Sequence, residues 1–392
     1  MGVPKLRFKA DDGSDFPDWE EKTLGEVFIE IKEKNRSELP VLSVQQGVGT
    51  VLRDSSERRI AYNKNSLNNY KAMRKGDFII HLRSFEGGLE CSNHDGISSP
   101  AYRILRSNEI LSDAFKDYFR SYTFIKGKLS DSVVGIRDGK NIDMPTFWEI
   151  QISIPSLPEQ HKIADLLSAV DDVIAAQEAE VAAWEKRKKG VMQKLFSQEV
   201  RFKADDGSDF PDWEKMTLGD VGSVAMCKRV FKEQTSEVGD VPFFKIGTFG
   251  GVPDAYISKS LFDELKSKYA YPEVGTILLS ASGTIGRQVE YKGEDAYYQD
   301  SNIVWLKHDD TVLNSYLKQF YSVVKWQGLE GSTIKRLYNK TILDTPFYRP
   351  SLPEQRKIAD CLALLDDVIA KAKDELDAWR ELKKGLLQQM FV

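Results

Sequence analysis

The sequence lacks any apolar run long enough to cross a membrane. A membrane-spanning helix needs about 20 consecutive, mostly apolar residues. The first residues, MGVPKLRFKADDGSDF, also lack the apolar stretch of a secretory signal. We therefore expect a cytoplasmic protein that has no membrane partner.

Cysteine is scarce as well. The three cysteines, Cys91, Cys227 and Cys361, lie far apart, so the sequence indicates neither a disulfide framework nor a metal-binding pair. Cys91 and His94 have the local spacing of zinc ligands, but no second pair accompanies them. The two DDGSD segments lack the oxygen-ligand pattern of a calcium loop. The sequence therefore predicts no metal site.

Motifs for catalysis are also missing. No G-x-x-x-x-G-K-[ST] phosphate-binding loop is present. The nearest approach to an adenine-methylating N-P-P-[YF] motif is DTPFY at 344–348, which lacks the paired prolines and has no glycine-rich cofactor motif beside it. We expect no catalytic residue in this chain and interpret it as a binding protein rather than an enzyme.

An internal repeat organises the chain. Leu6–Val27 matches Val200–Val221 at 18 of 22 positions, and FKADDGSDFPDWE is unbroken in both copies. Ser156–Phe196 matches Ser351–Phe391 at 23 of 41 positions. The stretches between these blocks show little similarity. The chain is therefore one duplicated unit with a repeated framework and two divergent heads.

The second repeated block is predicted to be a helix. Ser156 with Glu159, and Ser351 with Glu354, fit an S-x-x-E capping box with a proline in the first turn. Residues then recur with the 3.5-residue spacing that calls for a coiled-coil partner. This seam consists of Ile163, Leu167, Val170, Ile174, Gln177, Val181, Trp184, Lys188, Val191 and Leu195, and of Ile358, Leu362, Leu365, Ile369, Ala372, Leu376, Trp379, Lys383, Leu386 and Met390.

The simplest partner of each long helix is the other copy. Because the second head begins where the first helix ends, an antiparallel pair needs no long return. This arrangement would place the two heads at opposite ends of a rod, related by a pseudo-two-fold axis. By that symmetry the segment Arg7–Trp19 should lie beside the end of the second helix.

The two heads are predicted to mix strands and helices. β-rich apolar runs occur at 75–82, 101–105, 275–280 and 302–306, and helical spacing occurs at 111–122 and 313–324. The fold class is therefore α+β, with two mixed α/β globular heads, a long antiparallel two-helix coiled coil between them and a pseudo-two-fold internal repeat. The predicted domains are the first head at 1–155, the central helix at 156–197, the second head at 198–350 and the distal helix at 351–392.

Charge is distributed unevenly along the chain. Residues 22–150 carry 20 Lys or Arg against 17 Asp or Glu, a net of +3, and residues 215–349 carry 17 against 16, a net of +1. Since the whole chain has a net charge of -5, the remainder carries -9. Acidic residues are therefore concentrated in the framework, mainly in the two ADDGSDFPDWE segments. The charge balance of each head permits a phosphate-binding face.

This organisation resembles the specificity subunit of a Type I restriction-modification enzyme. The repeated helices open with SLPEQ-x-KIA and close near KKG-x-x-x-x-x-F, and the heads open with FPDW…TLGEV and FPDW…TLGDV. The resemblance covers the whole chain. It implies a non-catalytic host-defence protein that reads a two-part sequence in double-stranded DNA, one part with each target recognition domain.

The resemblance also implies partners. The long helices would set the gap between the two parts of the target and dock two methyltransferase subunits, and a restriction subunit would join to cut DNA. S-adenosylmethionine, ATP and Mg would be cofactors of those partner subunits, with none in this chain. We expect Trp184, Gly190, Trp379 and Gly385 to contact partners, although the two glycines could equally serve a helix crossing within the chain.

The residue patterns alone leave one alternative open, a coiled-coil scaffold whose heads join two protein partners. Salt separates the two hypotheses, because phosphate binding weakens steeply with added salt and apolar docking does not.

Sequence readout needs side chains with hydrogen-bond donors and acceptors on loops that can enter a groove of DNA. The candidate DNA-contacting residues are Arg83, Ser84, Asn93, His94, Arg137, Lys140 and Asn141 in the first head, and Ser282, Thr284, Arg287, Gln299, Asp300, Ser301, Asn302, Lys335 and Arg336 in the second.

Overall fold

The chain divides into two compact units in a computed structural model. Residues 1–179 and 373–392 form the first unit, and residues 180–372 form the second. Each unit therefore contains one head together with parts of both long helices. No helix among the described residues is long and apolar enough to cross a membrane. The structure describes residues 4–53, 64–81, 88–135, 140–326 and 336–391.

The first unit mixes short strands and helices around a four-stranded antiparallel sheet. Its elements are β1 (Glu20–Thr23), α1 (Leu24–Val27), β2 (Ile29–Ile31), β3 (Leu42–Gln45), β4 (Gly49–Leu52), β5 (Lys71–Met73), β6 (Phe78–His81), β7 (Glu90–Cys91), β8 (Gly96–Ser98), β9 (Tyr102–Arg106), α2 (Ser112–Phe115), α3 (Tyr122–Gly127), β10 (Val133–Val134), β11 (Asn141–Ile142), α4 (Met144–Trp148), β12 (Gln151–Ile154) and the long helix α5 (Leu157–Phe196), which continues into the second unit. The strand order in the sheet is β2-β9-β6-β7.

The second unit has the same plan. Its elements are β13 (Glu214–Thr217), α6 (Leu218–Val221), β14 (Gly222–Ala225), β15 (Val241–Phe244), β16 (Tyr256–Ile257), α7 (Lys259–Lys268), β17 (Ile277–Ser280), β18 (Gln288–Glu290), β19 (Tyr297–Tyr298), β20 (Ile303–His308), α8 (Asn314–Val323), α9 (Asn339–Leu343), β21 (Pro346–Arg349) and the long helix α10 (Leu352–Met390), which continues into the first unit. Its four-stranded sheet has the order β14-β20-β17-β18.

The two sheets have the same topology, although the head sequences have diverged. In the first sheet, β2 follows the one-turn helix α1 and pairs with β9, the longest strand, and β9 pairs in turn with β6. In the second sheet, β14 follows the one-turn helix α6 and pairs with β20, the longest strand, and β20 pairs in turn with β17. The four predicted strands correspond to β6, β9, β17 and β20. The predicted α+β class, with two mixed heads and an internal repeat, is confirmed.

Two local predictions in the first head are wrong. The stretch 111–122 is not one helix, because α2 ends at Phe115 and Ser121 caps a new helix by accepting a hydrogen bond from Phe124 N. The Gly-rich segment 84–96, which the sequence predicts to be a loop, contains a buried strand formed by Glu90 and Cys91. Residues 82–87 lie outside the described part of the chain.

The long helices run antiparallel within the first unit. Lys383 Nζ lies 2.6 Å from Asp171 Oδ1, and Arg380 Nη2 lies 2.7 Å from Glu178 Oε1. The residue number on α10 falls as the number on α5 rises, which is the signature of an antiparallel pair. Apolar residues from the start of α5 and the end of α10 share the core of the first head.

The second unit repeats this antiparallel pairing. Lys188 forms an ion pair with Asp366, and Leu195 shares a core with Ile358. Every predicted seam residue on both helices is buried or half-buried. The 3.5-residue spacing therefore predicted the buried face of both helices correctly.

The glutamate of each SLPEQ segment anchors the acidic repeat. The fully buried Glu159 accepts hydrogen bonds from Arg7 Nε at 3.1 Å, Arg7 Nη2 at 2.8 Å and Trp19 Nε1 at 3.1 Å. Glu354 has the same three donors in the second copy. Leu6 N also donates to Gln389 O at 3.1 Å, so the acidic segment lies beside the end of α10 as predicted.

The predicted capping boxes are wrong, because the two glutamates have other hydrogen-bond partners. The carboxylates of Glu159 and Glu354 are taken by arginine and tryptophan donors. The hydroxyls of Ser156 and Ser351 have no hydrogen-bond partner in the described part of the chain. The helices nevertheless begin one residue after each serine, at Leu157 and Leu352.

The glutamine of each SLPEQ segment fixes the head to the helix. Gln160 Oε1 accepts from Leu111 N at 2.8 Å, and its Nε2 donates to Glu109 O at 2.8 Å. Gln355 makes the same pair of bonds to the matching loop of the second head. The repeated motif thus carries the contacts that join framework and head, which explains why it recurs unchanged.

Candidate nucleic-acid interface

Asn93 of the first head is exposed in the turn between β7 and β8 but is engaged within the chain. Its Nδ2 donates to Val48 O at 2.9 Å and to Thr50 O at 3.2 Å, and its backbone N donates to Thr50 Oγ1 at 2.9 Å. Asn93 therefore holds the β3-β4 hairpin in place. The neighbouring His94 is also exposed.

The remaining predicted residues of the first head are separate from that turn in sequence. Lys140 and Asn141 are exposed at the start of β11, which pairs with β10. Arg83, Ser84 and Arg137 lie outside the described residues.

In the second head, the structure brings several predicted residues together. Arg336 Nη2 donates to Ser301 O at 2.7 Å, and Ser282 Oγ donates to Asn302 Oδ1 at 2.9 Å. Ser301 has a positive φ of 54°, a backbone conformation that residues other than glycine rarely adopt. The turn 299–302 is therefore held in one shape by bonds from two other loops.

The next contacts join this turn to two further segments. Gln299 Oε1 accepts from Ile246 N at 2.9 Å, and Asp300 Oδ2 accepts from Arg229 Nε at 2.9 Å. The buried Tyr297 and Tyr298 precede the turn, and burial raises the pKa of both hydroxyls. Both tyrosines therefore stay neutral and keep their donors at physiological pH.

A groove of about 710 Å³ is formed at this turn. Its charged lining is balanced and consists of three cations and three carboxylates: Arg229, Lys232, Lys245, Glu237, Asp254 and Asp300. Such a mixture of donors and acceptors suits base edges, whereas phosphates would favour cations alone. Among the predicted residues, the groove lining includes Gln299, Asp300, Ser301 and Asn302.

Four predicted residues in the described part of the second head do not line this groove, namely Ser282, Thr284, Arg287 and Arg336. Arg287 Nη1 donates to Phe249 O at 2.8 Å, and Thr284 is exposed in the same loop as Arg287. Arg336 donates its hydrogen bond to the backbone oxygen of Ser301. Lys335 lies outside the described residues.

The sequence prediction missed part of the groove lining. Arg229, Phe231, Lys232 and Lys245 all lie there, and the Phe231 side chain is 59% exposed. The signal that could have found the first three is the run KRVFK at 228–232, in which cations flank an aromatic residue.

The four predicted partner-binding residues all lie on the long helices. Trp184 and Trp379 are half-buried. A Cβ added at Gly190 or Gly385 would meet no atom within 4 Å among the described residues. A close helix crossing within the chain therefore does not explain these glycines.

Comparison with known proteins identifies the family. The model of the Type I restriction modification DNA specificity domain matches residues 17–183 and again residues 211–378. The chain belongs to this family. It is therefore a Type I restriction-modification specificity subunit, whose general function is DNA sequence recognition.

Individual relatives agree with that assignment. A putative type I restriction enzyme specificity subunit from Haemophilus influenzae is 58% identical over 146 residues, which span 37% of this chain and only 38% of that relative. The MjaVIII specificity subunit of Methanocaldococcus jannaschii is 23% identical over 95% of this chain and 92% of its own length.

Solved structures show the same fold. The S subunit of a Type I restriction-modification system from M. genitalium covers 100% of this chain with a TM-score of 0.53 and 17% identity. A chain from a structure that concerns complex assembly and conformational transition of the type I R-M system covers 96% with a TM-score of 0.58 and 18% identity. At such identities the likeness concerns the fold alone.

Proposed function

We propose that this specificity subunit reads a two-part sequence in double-stranded DNA, one part with each head. The observation that carries the proposal is the pairing of one sheet topology with two different loop surfaces. The order β2-β9-β6-β7 recurs as β14-β20-β17-β18, while the groove at 299–302 lies in a stretch that shows little sequence similarity to the first head. Two heads that share one fold but differ in their surfaces are suited to two different half-sites.

The long helices are proposed to set the gap between the half-sites. They are 40 and 39 residues long, and each contributes residues to both units. A change in helix length would therefore alter both units together.

The proposed partners are two methyltransferase subunits, docked on the long helices, and a restriction subunit that cuts DNA. Gly190 and Gly385 support such docking, because the open space above each glycine could admit a partner's backbone. S-adenosylmethionine, ATP and Mg would act on those subunits, and the present chain would supply sequence recognition without a catalytic step.

The test is methylation mapping with reconstituted subunits. DNA is incubated with the chain, its methyltransferase subunits and S-adenosylmethionine, and modified bases are located by sequencing. We expect two short specified sequences separated by a fixed unspecified gap, and no modification when either component is omitted. Methylation or cleavage by the isolated chain, or a single continuous motif, would overturn the proposal.

A further inference from the structure

The tip of the β3-β4 hairpin in the first head presents three exposed side chains on a defined turn. Gln45, Gln46 and Val48 are exposed, and Val48 N donates to Gln45 O at 3.2 Å. Gly47 closes the turn with a φ of 77°. At Gly49 the φ is 96°, and an added Cβ would lie 2.3 Å from a backbone oxygen, so only glycine fits there.

Side chains from other segments clamp this tip. Glu90 Oε1 accepts from Gly47 N at 2.7 Å, and Arg120 Nη1 donates to Gly47 O at 3.2 Å. Arg120 Nη2 pairs with Glu90 Oε2 at 2.7 Å. Asn93 holds the next peptide through Val48 O at 2.9 Å. Three polar side chains thus fix the backbone of two consecutive tip residues.

Such a clamp is poorly explained by stability alone. The side chains of Glu90 and Arg120 are only 8% and 17% exposed, and a buried ion pair usually gains little net free energy over apolar packing. What the clamp does achieve is a rigid backbone under exposed, uncharged amide side chains. Support of this kind is typical of residues that must meet a ligand in one geometry.

The hairpin tip also borders a concavity. A cleft of about 230 Å³ is lined by Gln46 together with Val44, His81 and Tyr102. In the second head, Phe243 and Lys245 line the larger groove from the matching strand, β15, and the residue after it. We match β15 to β3 because both have the same parallel neighbour. Val41, the residue before β3, bridges Ile97 of β8 in parallel, and β15 pairs in parallel with β19. The two clefts therefore share one bordering strand, although their other lining residues lie on different elements.

We propose that Gln45 and Gln46 read base edges in the major groove, and that Glu90, Arg120 and Asn93 act as positioning residues behind them. The inference rests on the proposed DNA-reading function. A glutamine amide presents one donor and one acceptor, the pattern that matches N7 and N6 of adenine. The half-site of the first head should therefore contain an A·T pair read by this tip.

The direct test compares Gln45→Ala/Gln46→Ala with Asn108→Ala in the reconstituted methyltransferase complex. Asn108 is an exposed amide of the same head in the loop after β9. Because one bidentate contact discriminates by about 1–3 kcal/mol, we expect the double variant to lose about tenfold to a hundredfold preference at one A·T pair. The half-site read by the second head should be unchanged, and Asn108→Ala should match the unaltered complex.

A double-mutant cycle tests the positioning role. Asn93→Ala should relax preference at the same A·T pair, and it should add nothing further when Gln45 and Gln46 are already alanine. A purely structural role would instead lower thermal stability and affect both backgrounds alike. Unchanged discrimination in Gln45→Ala/Gln46→Ala, with a two-part target still recognised, would overturn this inference alone. Absence of a two-part target in the unaltered complex would instead remove the proposed function.

Discussion

At the scale of single residues, the two buried glutamates Glu159 and Glu354 hold the repeated framework together. A buried carboxylate is costly unless charged and polar donors surround it. Glu159 meets a guanidinium and an indole, and the segment that supplies them is identical in both copies. The unbroken identity of FKADDGSDFPDWE therefore has a structural cause in at least its tryptophan.

We expect Glu159→Ala to lower the free energy of unfolding by roughly 3 kcal/mol, the lower end of the range for a broken buried pair. The lower end applies because the Arg7 side chain is 21% exposed and can recover some hydration. Urea unfolding measures the change. Asp18→Ala is the control, since the Asp18 side chain is fully exposed and its ion pair with Arg7 at 3.5 Å lies at the surface, so its effect should stay below about 1 kcal/mol. Equal effects of the two variants would contradict the anchoring role.

Residue types were easier to predict than residue roles. The sequence correctly indicated polar loops, and the groove at 299–302 contains four predicted residues. The sequence could not show that Asn93, Arg287 and Arg336 donate hydrogen bonds to backbone oxygens of distant segments. Those bonds depend on tertiary contacts, which a single sequence does not reveal. The hairpin tip at 45–48 was missed because uncharged glutamines in a turn carry no distinctive sequence signal.

At the scale of elements, the long helices were the most predictable part of the fold. Their 3.5-residue spacing runs without interruption, and every seam residue is buried or half-buried. The shorter helices were less predictable. Ser121 restarts a helix within the stretch 111–122, because its side chain offers a local cap that competes with helix continuation.

Helix length should control the gap in the DNA target. Adding seven residues beside both Gln177 and Ala372 keeps the seam in register and lengthens the pair by about 10 Å. This is about three base pairs at roughly 3.4 Å each, so methylation mapping should show a different gap or loss of binding.

Adding two residues at the same positions is the control. It rotates the seam by about 200° and should lower the thermal stability of the chain. A stable seven-residue variant with the original gap would show that the helices do not set the spacing.

At the scale of the whole molecule, the internal repeat predicted the architecture, and the division of function between the two divergent heads stays a prediction. The match to the family model, once in each half, agrees with the duplication. What the sequence could not supply was the topology of the heads, because short strands pair with partners up to about 130 residues away, as β1 does with β12.

Exchange of one head is the most direct test of separate reading. Residues 28–155 are replaced by the corresponding segment of a relative, and the complex with methyltransferase subunits is used to map methylated DNA. We predict that one half-site changes to that of the donor, while the other half-site and the gap stay as they were. A chimera that folds yet alters both half-sites together would contradict the account that each head reads its own half of the target.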